Sequence, residues 1–150
     1  MLDHTLYLVF AIATHGLVGY VLVRTLTTAP PAAGFLFAVA PDVDLFFHHL
    51  WTFPLVHRGL LHTPVFLGIL AVSFLLVGAS RRLLFALCVA FGSHLVIDSF
   101  TNAGILWLYP LTVEHYAYDV DIHSVAGNLA VWTVSLVVLV LDGHVLSRRS

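Results

Sequence analysis

The chain contains no lysine, a single cysteine (Cys88) and only 9% charged residues. Each scarcity excludes something. Ordinary soluble domains carry about 25% charged residues, so a surface that faces water over most of its area is excluded. One cysteine cannot form an intrachain disulfide, and its place inside an apolar run gives no reading of redox compartment. A net charge of −2 leaves no basic surface for nucleic acid. Residues 1–4 carry no positive charge, so no secretory signal peptide is expected there. What is present is apolar: 60% hydrophobic residues and a mean hydropathy of +0.99 over 150 residues. That describes a single integral-membrane domain, residues 1–150. Histidine is the other excess, with ten against six arginines.

The apolar runs predict an all-α polytopic bundle of about five spans. Residues 5–23 form the first, with His15 at its middle and Arg24 directly after it. Pro30-Pro31 opens the next, because proline is tolerated in a first helical turn. Residues 32–40 are apolar, Pro41 interrupts them, and residues 45–53 resume with aromatics and His48-His49. This reads as a discontinuous second span broken at Pro41. A broken backbone at membrane depth needs protein or a wet cavity around it, so a polar cavity is expected beside Asp42 and Asp44. Pro54 to Thr63 is a loop containing His57-Arg58-Gly59 and His62. Residues 64–79 are the third span, Ser80-Arg81-Arg82 a basic turn, residues 83–100 the fourth span and residues 125–141 the fifth. Arg24, Arg81, Arg82, Arg148 and Arg149 then all face the cytoplasm, with the N-terminus outside and the C-terminus inside. Only Arg58 falls on the other side. The location expected is the cytoplasmic membrane.

Intramembrane acids and imidazoles are costly, and several that converge point to function. His94 and Asp98 are four residues apart, so a helix places them on one face. Imidazole nitrogen and carboxylate oxygen together suit a divalent metal. At about 1.5 Å per residue, His94 lies roughly 16 Å and Asp98 roughly 22 Å from the inner end of their helix. By the same rise His15 lies roughly 15 Å from the outer face and Asp42 roughly 18 Å from the inner face. His57 and His62 stand at the outer mouth. These residues converge on the outer half of the bilayer, where lipid head groups have lateral access. The plainer readings are an intrahelical His94–Asp98 hydrogen bond, capping by Asp42 or Asp44 after Pro41, and solvated loop histidines. His48 and His49 read as interfacial, His144 as structural, and Trp51, Trp107 and Trp132 as interface or packing aromatics. Residues 119–123 alternate like an exposed strand or loop edge, and Glu114, His115 and His123 read as a solvated surface or a possible second site.

Thr14-His15, Pro41-Asp42-Val43-Asp44, His57-Arg58-Gly59-Leu60-Leu61-His62-Thr63, Gly92-Ser93-His94-Leu95-Val96-Ile97-Asp98-Ser99-Phe100-Thr101, Gly104 and Tyr109-Pro110 come one after another in this order. The set, over about residues 10–112, resembles the inner-membrane-associated metal-dependent hydrolase family. That family is also described as LexA-binding and is grouped with the zinc-dependent phospholipase C and single-strand nuclease superfamily. The resemblance implies an all-helical metal site drawing on His15, Asp42 or Asp44, His57 or His62, His94 and Asp98, with Asp98 as bridging carboxylate. It implies a further His/His/Glu set, for which His115, His123 and Glu114 are the candidates, although their spacing departs from the family's.

Mixed histidine and carboxylate ligation suits Zn2+, with Mn2+ or Fe2+ as alternatives. Such an ion activates water and polarises a phosphoryl or acyl oxygen. Asp98 and His94 are then catalytic-centre candidates, and Arg58 can clamp a phosphate or carboxylate through its planar fork. The function expected is a membrane-embedded metal-dependent hydrolase of a phospholipid or other phosphoester. Three other classes compete. Facing His15 and His94 would ligate a haem, although three aspartates speak against it. A metal transporter needs polar groups in both membrane halves, and the inner half is apolar. A non-catalytic binding or scaffold protein would need no chemistry at all.

Overall fold

The computed structural model describes residues 4–47 and 52–147. His48, His49, Trp51, Arg148 and Arg149, which the sequence places at interfaces or on the cytoplasmic side, lie outside the described residues. The described chain is helical: α1 (His4–Leu26), α2 (Pro31–Val39), α3 (Pro64–Leu76), α4 (Arg81–Ser99) and α5 (Val125–Ser147), with 3-10 turns at Pro41–Phe46 and Leu60–His62. A lone antiparallel bridge joins Ile105 to Tyr116. Prolines start α2 and α3, Thr63 accepts from the Phe66 amide to cap α3, and Ser80 accepts from the Leu83 amide to cap α4.

Five spans do not survive. Among the described residues, three helical stretches are long and apolar enough to cross a membrane: Thr5–Leu26, Arg81–Ser99 and Val125–His144. The nine residues of α2 reach roughly 14 Å and the thirteen of α3 roughly 20 Å, short of a hydrocarbon core of about 30 Å. The second span does break at Pro41, where the chain passes into a 3-10 turn over Pro41–Phe46; residues 48–51 of the expected second half lie outside the described residues. Apolar composition there does not bring helical length with it.

Helices α1, α2 and α4 form the packed centre, with α3 against α4 and α5 against α1. The tightest approach is between α1 and α2. A Cβ on Gly34 would lie 2.3 Å from the Gly19 carbonyl oxygen, and one on Gly19 would lie 2.3 Å from the Ala38 Cβ. Small residues at a helix crossing let two backbones touch where no hydrophobic driving force exists between apolar surfaces. The crossing carries the end of α2, and hence Pro41 and Asp42, to the level of His15 one turn up α1. On α4 the buried residues Ala86, Leu87, Ala90, Phe91, His94, Leu95, Ile97 and Asp98 meet α1, α2 and α3. Two apolar clusters flank this helix, Val23–Ala29–Ala38–Ala86–Ala90 and Leu87–Phe91–Leu95–Ile105. By contrast α3 buries no residue, and α5 leaves most of its apolar side chains outward, as lipid-facing surfaces do.

The chain after α4 is anchored to that helix's end. The Tyr118 amide donates to the Ser99 carbonyl (2.7 Å) and the Ile122 amide to the Phe100 carbonyl (3.2 Å), satisfying carbonyls that a helix end leaves free. Residues 119–121 are exposed loop, and His123 turns inward. Trp107 and Trp132 are packing residues, their indole N–H groups donating to Ser99 Oγ and Thr14 Oγ1.

Candidate metal centre

Four separate segments bring their polar residues to one place. Helix α4 supplies His94 and Asp98, α1 supplies His15, the first 3-10 turn supplies Asp42 and Asp44, and the loop with the second 3-10 turn supplies His57, Arg58 and His62. His15, Asp42, Asp44, His62, His94 and Asp98 are all buried, and His57 is partly so.

The core of the cluster is four atoms. His62 Nε2 lies 3.4 Å from Asp42 Oδ1 and 3.8 Å from Asp98 Oδ2. His94 Nε2 lies 3.8 Å from Asp42 Oδ1 and 3.4 Å from Asp98 Oδ2. A tetrahedron with metal–ligand bonds of about 2.1 Å has edges of roughly 3.4 Å, and these four N–O contacts, near that length, join two ligand groups, Asp42–Asp44–His57–His62 and His15–His94–Asp98.

The far side of the His94 ring is held by a hydrogen bond, and that of His62 lies beside a carboxylate. His94 Nδ1 donates to the Ala38 carbonyl at 2.7 Å, and a carbonyl can only accept, so Nδ1 carries the proton. The other ring nitrogen, Nε2, has no hydrogen-bond partner and faces two carboxylate oxygens. Oxygens facing a ring nitrogen need a proton or a metal cation between them. His62 Nδ1 lies 3.3 Å from Asp44 Oδ2, and Asp44 Oδ1 lies 2.9 Å from His57 Nδ1. Histidine ligands fixed from behind by a carboxylate or carbonyl are the usual arrangement around a bound metal. Geometry thus separates the paired candidates: Asp42 and His62 turn toward the common centre, while Asp44 and His57 back His62.

Charge leads to the same place. Arg58 pairs with Asp98, while the charged-group neighbours of buried Asp42 and Asp44 are histidines alone among the described residues. Asp44 and His62 lie on connecting segments outside the spanning helices. Burial pushes the Asp44 carboxyl up, but hydrogen bonds with His57 and His62 outweigh it and hold it below its ordinary value. Burial pulls His62 down, but Asp42 and Asp44 raise it to about 9. The surroundings of His62 favour positive charge.

Asp98 Oδ1 faces the other way. It lies 3.3 Å from His15 Nε2, 3.6 Å from His123 Nε2 and 3.2 Å from Arg58 Nη2. A cavity of about 30 Å³, one water in size, adjoins it between Tyr7, Ile12, His15, Arg58 and His123. Arg58, with its backbone in the left-handed region at φ 61°, also donates from Nη1 to Thr101 Oγ1 (2.6 Å) and to the carbonyls of Gly104 (3.2 Å) and Asp98 (3.3 Å). The group expected to clamp a substrate anion is engaged with the end of α4. His15 and His94 are stacked, ring centroids 3.8 Å apart and planes within 25°, which leaves no place for a porphyrin between them and removes the haem reading.

His123 joins this cluster and not a second one. Glu114 and His115 are exposed and form no ion pair with it among the described residues. A buried relay behind His123 is not foreseen from sequence. Thr14 Oγ1 donates to Asn128 Oδ1 (2.6 Å), Asn128 Nδ2 donates to the His123 carbonyl (2.9 Å), and Trp132 Nε1 donates to Thr14 Oγ1 (2.7 Å). The available signal was an asparagine inside an otherwise apolar span.

A family model, YdjM inner membrane protein, matches the chain over residues 8–149. The chain belongs to the YdjM inner membrane protein family. Membership and three apolar helices make this a membrane protein. No curated protein and no solved structure matches the chain. In this YdjM-family chain every residue of the four-atom core lies within the matched region.

Proposed function

We propose that the chain is a membrane-embedded, metal-dependent hydrolase, with Asp42, His62, His94 and Asp98 holding one divalent ion of zinc type. The observation that carries this reading is the His94 Nε2 atom, buried without a hydrogen-bond partner and 3.4 and 3.8 Å from two carboxylates. Two nitrogens and two oxygens suit Zn2+ best, with Mn2+ or Fe2+ as alternatives. When bound, such an ion supplies a water that ionises near neutral pH and a Lewis acid for a phosphoryl or acyl oxygen.

The chain's own residues do the rest. Asp44 and the Ala38 carbonyl orient the two imidazoles. Arg58 fixes Asp98 against the end of α4 and offsets part of its charge. His15 and His123 line the cavity at the outer oxygen of Asp98, where a water or a substrate oxygen can be held. On the segments that carry Asp42, Asp44 and His57, Phe46 and Phe53 are exposed apolar side chains, a setting for an amphiphile rather than a free polar solute. The substrate class proposed is a phospholipid or other lipid-linked phosphoester. The N-terminus is proposed to lie outside, with Arg24, Arg81 and Arg82 on the cytoplasmic face.

The test is metal analysis of the purified chain beside His94→Ala and Asp98→Ala, followed by incubation of the zinc-loaded protein with a total lipid extract. Stoichiometric metal lost in both variants, with release of a water-soluble phosphoester, is the expected result. Metal without turnover on any lipid would leave a binding protein and end the hydrolase reading.

A further inference from the structure

The end of the bundle away from the metal cluster carries a site of its own. Arg24 at the end of α1 is paired with Asp142 of α5 at 2.9 Å. Arg81 and Arg82, at the start of α4, have no ion-pair partner among the described residues. Both line a pocket of about 490 Å³ with Thr25, Thr27, Thr28, Leu26 and Phe85. The guanidinium groups give it charge, while the Thr25 and Thr27 hydroxyls donate to carbonyls of α1. Leu26 and Phe85, 58% and 52% exposed, give it an apolar lip.

Thr25 also lines a furrow of about 390 Å³ between α1 and α5, bounded by Val18, Val21, Val131 and Val134 and almost wholly apolar. The charged pocket and the oily furrow share Thr25 as a lining residue, which sets a polar end beside an apolar groove, the two requirements of an amphiphile. A free phosphate would use only the pocket, and a hydrocarbon only the furrow.

We propose that this end of the bundle binds one anionic phospholipid, its phosphate on Arg81 and Arg82 and an acyl chain along the α1–α5 furrow. The site is distinct from the metal cluster, since α4 begins at the one and ends at the other. Planar guanidinium groups suit phosphate oxygens, and the lack of a carboxylate partner leaves both arginines free to meet them. The proposal stands independently of hydrolase chemistry: the lipid here is a resident, and no reactive group faces it.

The experiment is native mass spectrometry of the full chain released from micelles doped with phosphatidylglycerol. The wild type is expected to keep one phosphatidylglycerol. At about 1 kcal/mol per arginine, Arg81→Gln with Arg82→Gln should weaken retention roughly 30-fold. Ala130→Trp, which fills the furrow from its lipid-facing side, should also lower retention while leaving both arginines in place. Circular dichroism and gel filtration report whether each variant keeps its fold. Equal retention of phosphatidylcholine by the wild type, or retention unchanged in the double arginine variant, overturns the site. Displacement by millimolar inorganic phosphate, or indifference to Ala130→Trp, shows an anion site without a lipid and equally overturns it.

Discussion

Helices α4 and α5 are both long and apolar, yet they carry their polar residues in opposite ways. Half of the apolar stretch of α4 is buried in protein, against 11% of that of α5. Helix α4 holds His94 and Asp98 deep among α1, α2 and the 3-10 turn, while α5 keeps Leu129, Val134 and Val140 at 58%, 64% and 58% exposure. The polar groups of α5 that are buried, Asn128 and Ser135, lie on the side facing α1. An ionisable group is tolerated in hydrocarbon where protein surrounds it and partners satisfy it. Hydropathy cannot distinguish these helices, because it counts residues and not neighbours.

The contrast can be broken most severely on α4. His94→Ala removes one of four inward atoms and leaves two carboxylates facing a gap. Zinc affinity, by competition with a chromophoric chelator, should fall by more than the roughly 100-fold limit typical of outer-shell losses. Asp44→Asn leaves all four atoms in place but weakens the orientation of His62, and the same assay should show a loss of about 10- to 100-fold. Asn128→Leu tests the one polar relay of α5. It strands the Thr14 hydroxyl and the His123 carbonyl, so thermal unfolding in detergent should register about 1–3 kcal/mol of destabilisation. A Gly34→Ala change at the α1–α2 crossing, where the added carbon meets the Gly19 carbonyl, should cost about 1–3 kcal/mol and weaken zinc binding with it. Val137→Ala on the outward face of α5 should stay within about 0.5 kcal/mol in the same melt.

The sequence made α1, α4 and α5 legible because long apolar runs with few charges have few alternatives. It also marked the break at Pro41, since proline there cannot continue α2. It misjudged α2 and α3 as crossings. Residues 45–53 are apolar and aromatic, but local composition does not fix helix length when backbone geometry turns at Pro41. Of the candidate site, convergence was legible from depth: His15, Asp42, His94 and Asp98 come together from rise per residue and the i,i+4 pair. The choices between Asp42 and Asp44, and between His57 and His62, were not. They depend on how two 3-10 turns aim neighbouring side chains, and no periodicity encodes that. His123 was misplaced for a different reason. Its loop alternates like an exposed edge, and only the hydrogen bonds from Tyr118 and Ile122 to the end of α4 turn it inward.

If His62, His94, Asp42 and Asp98 surround one cation, X-ray absorption at the zinc edge of the loaded full chain will see them. Two imidazole nitrogens and two carboxylate oxygens are expected at about 2.0–2.2 Å, with the nitrogen contribution halved in His94→Gln. A chain that takes up no metal, or a coordination shell unchanged by that substitution, would contradict the four-residue site.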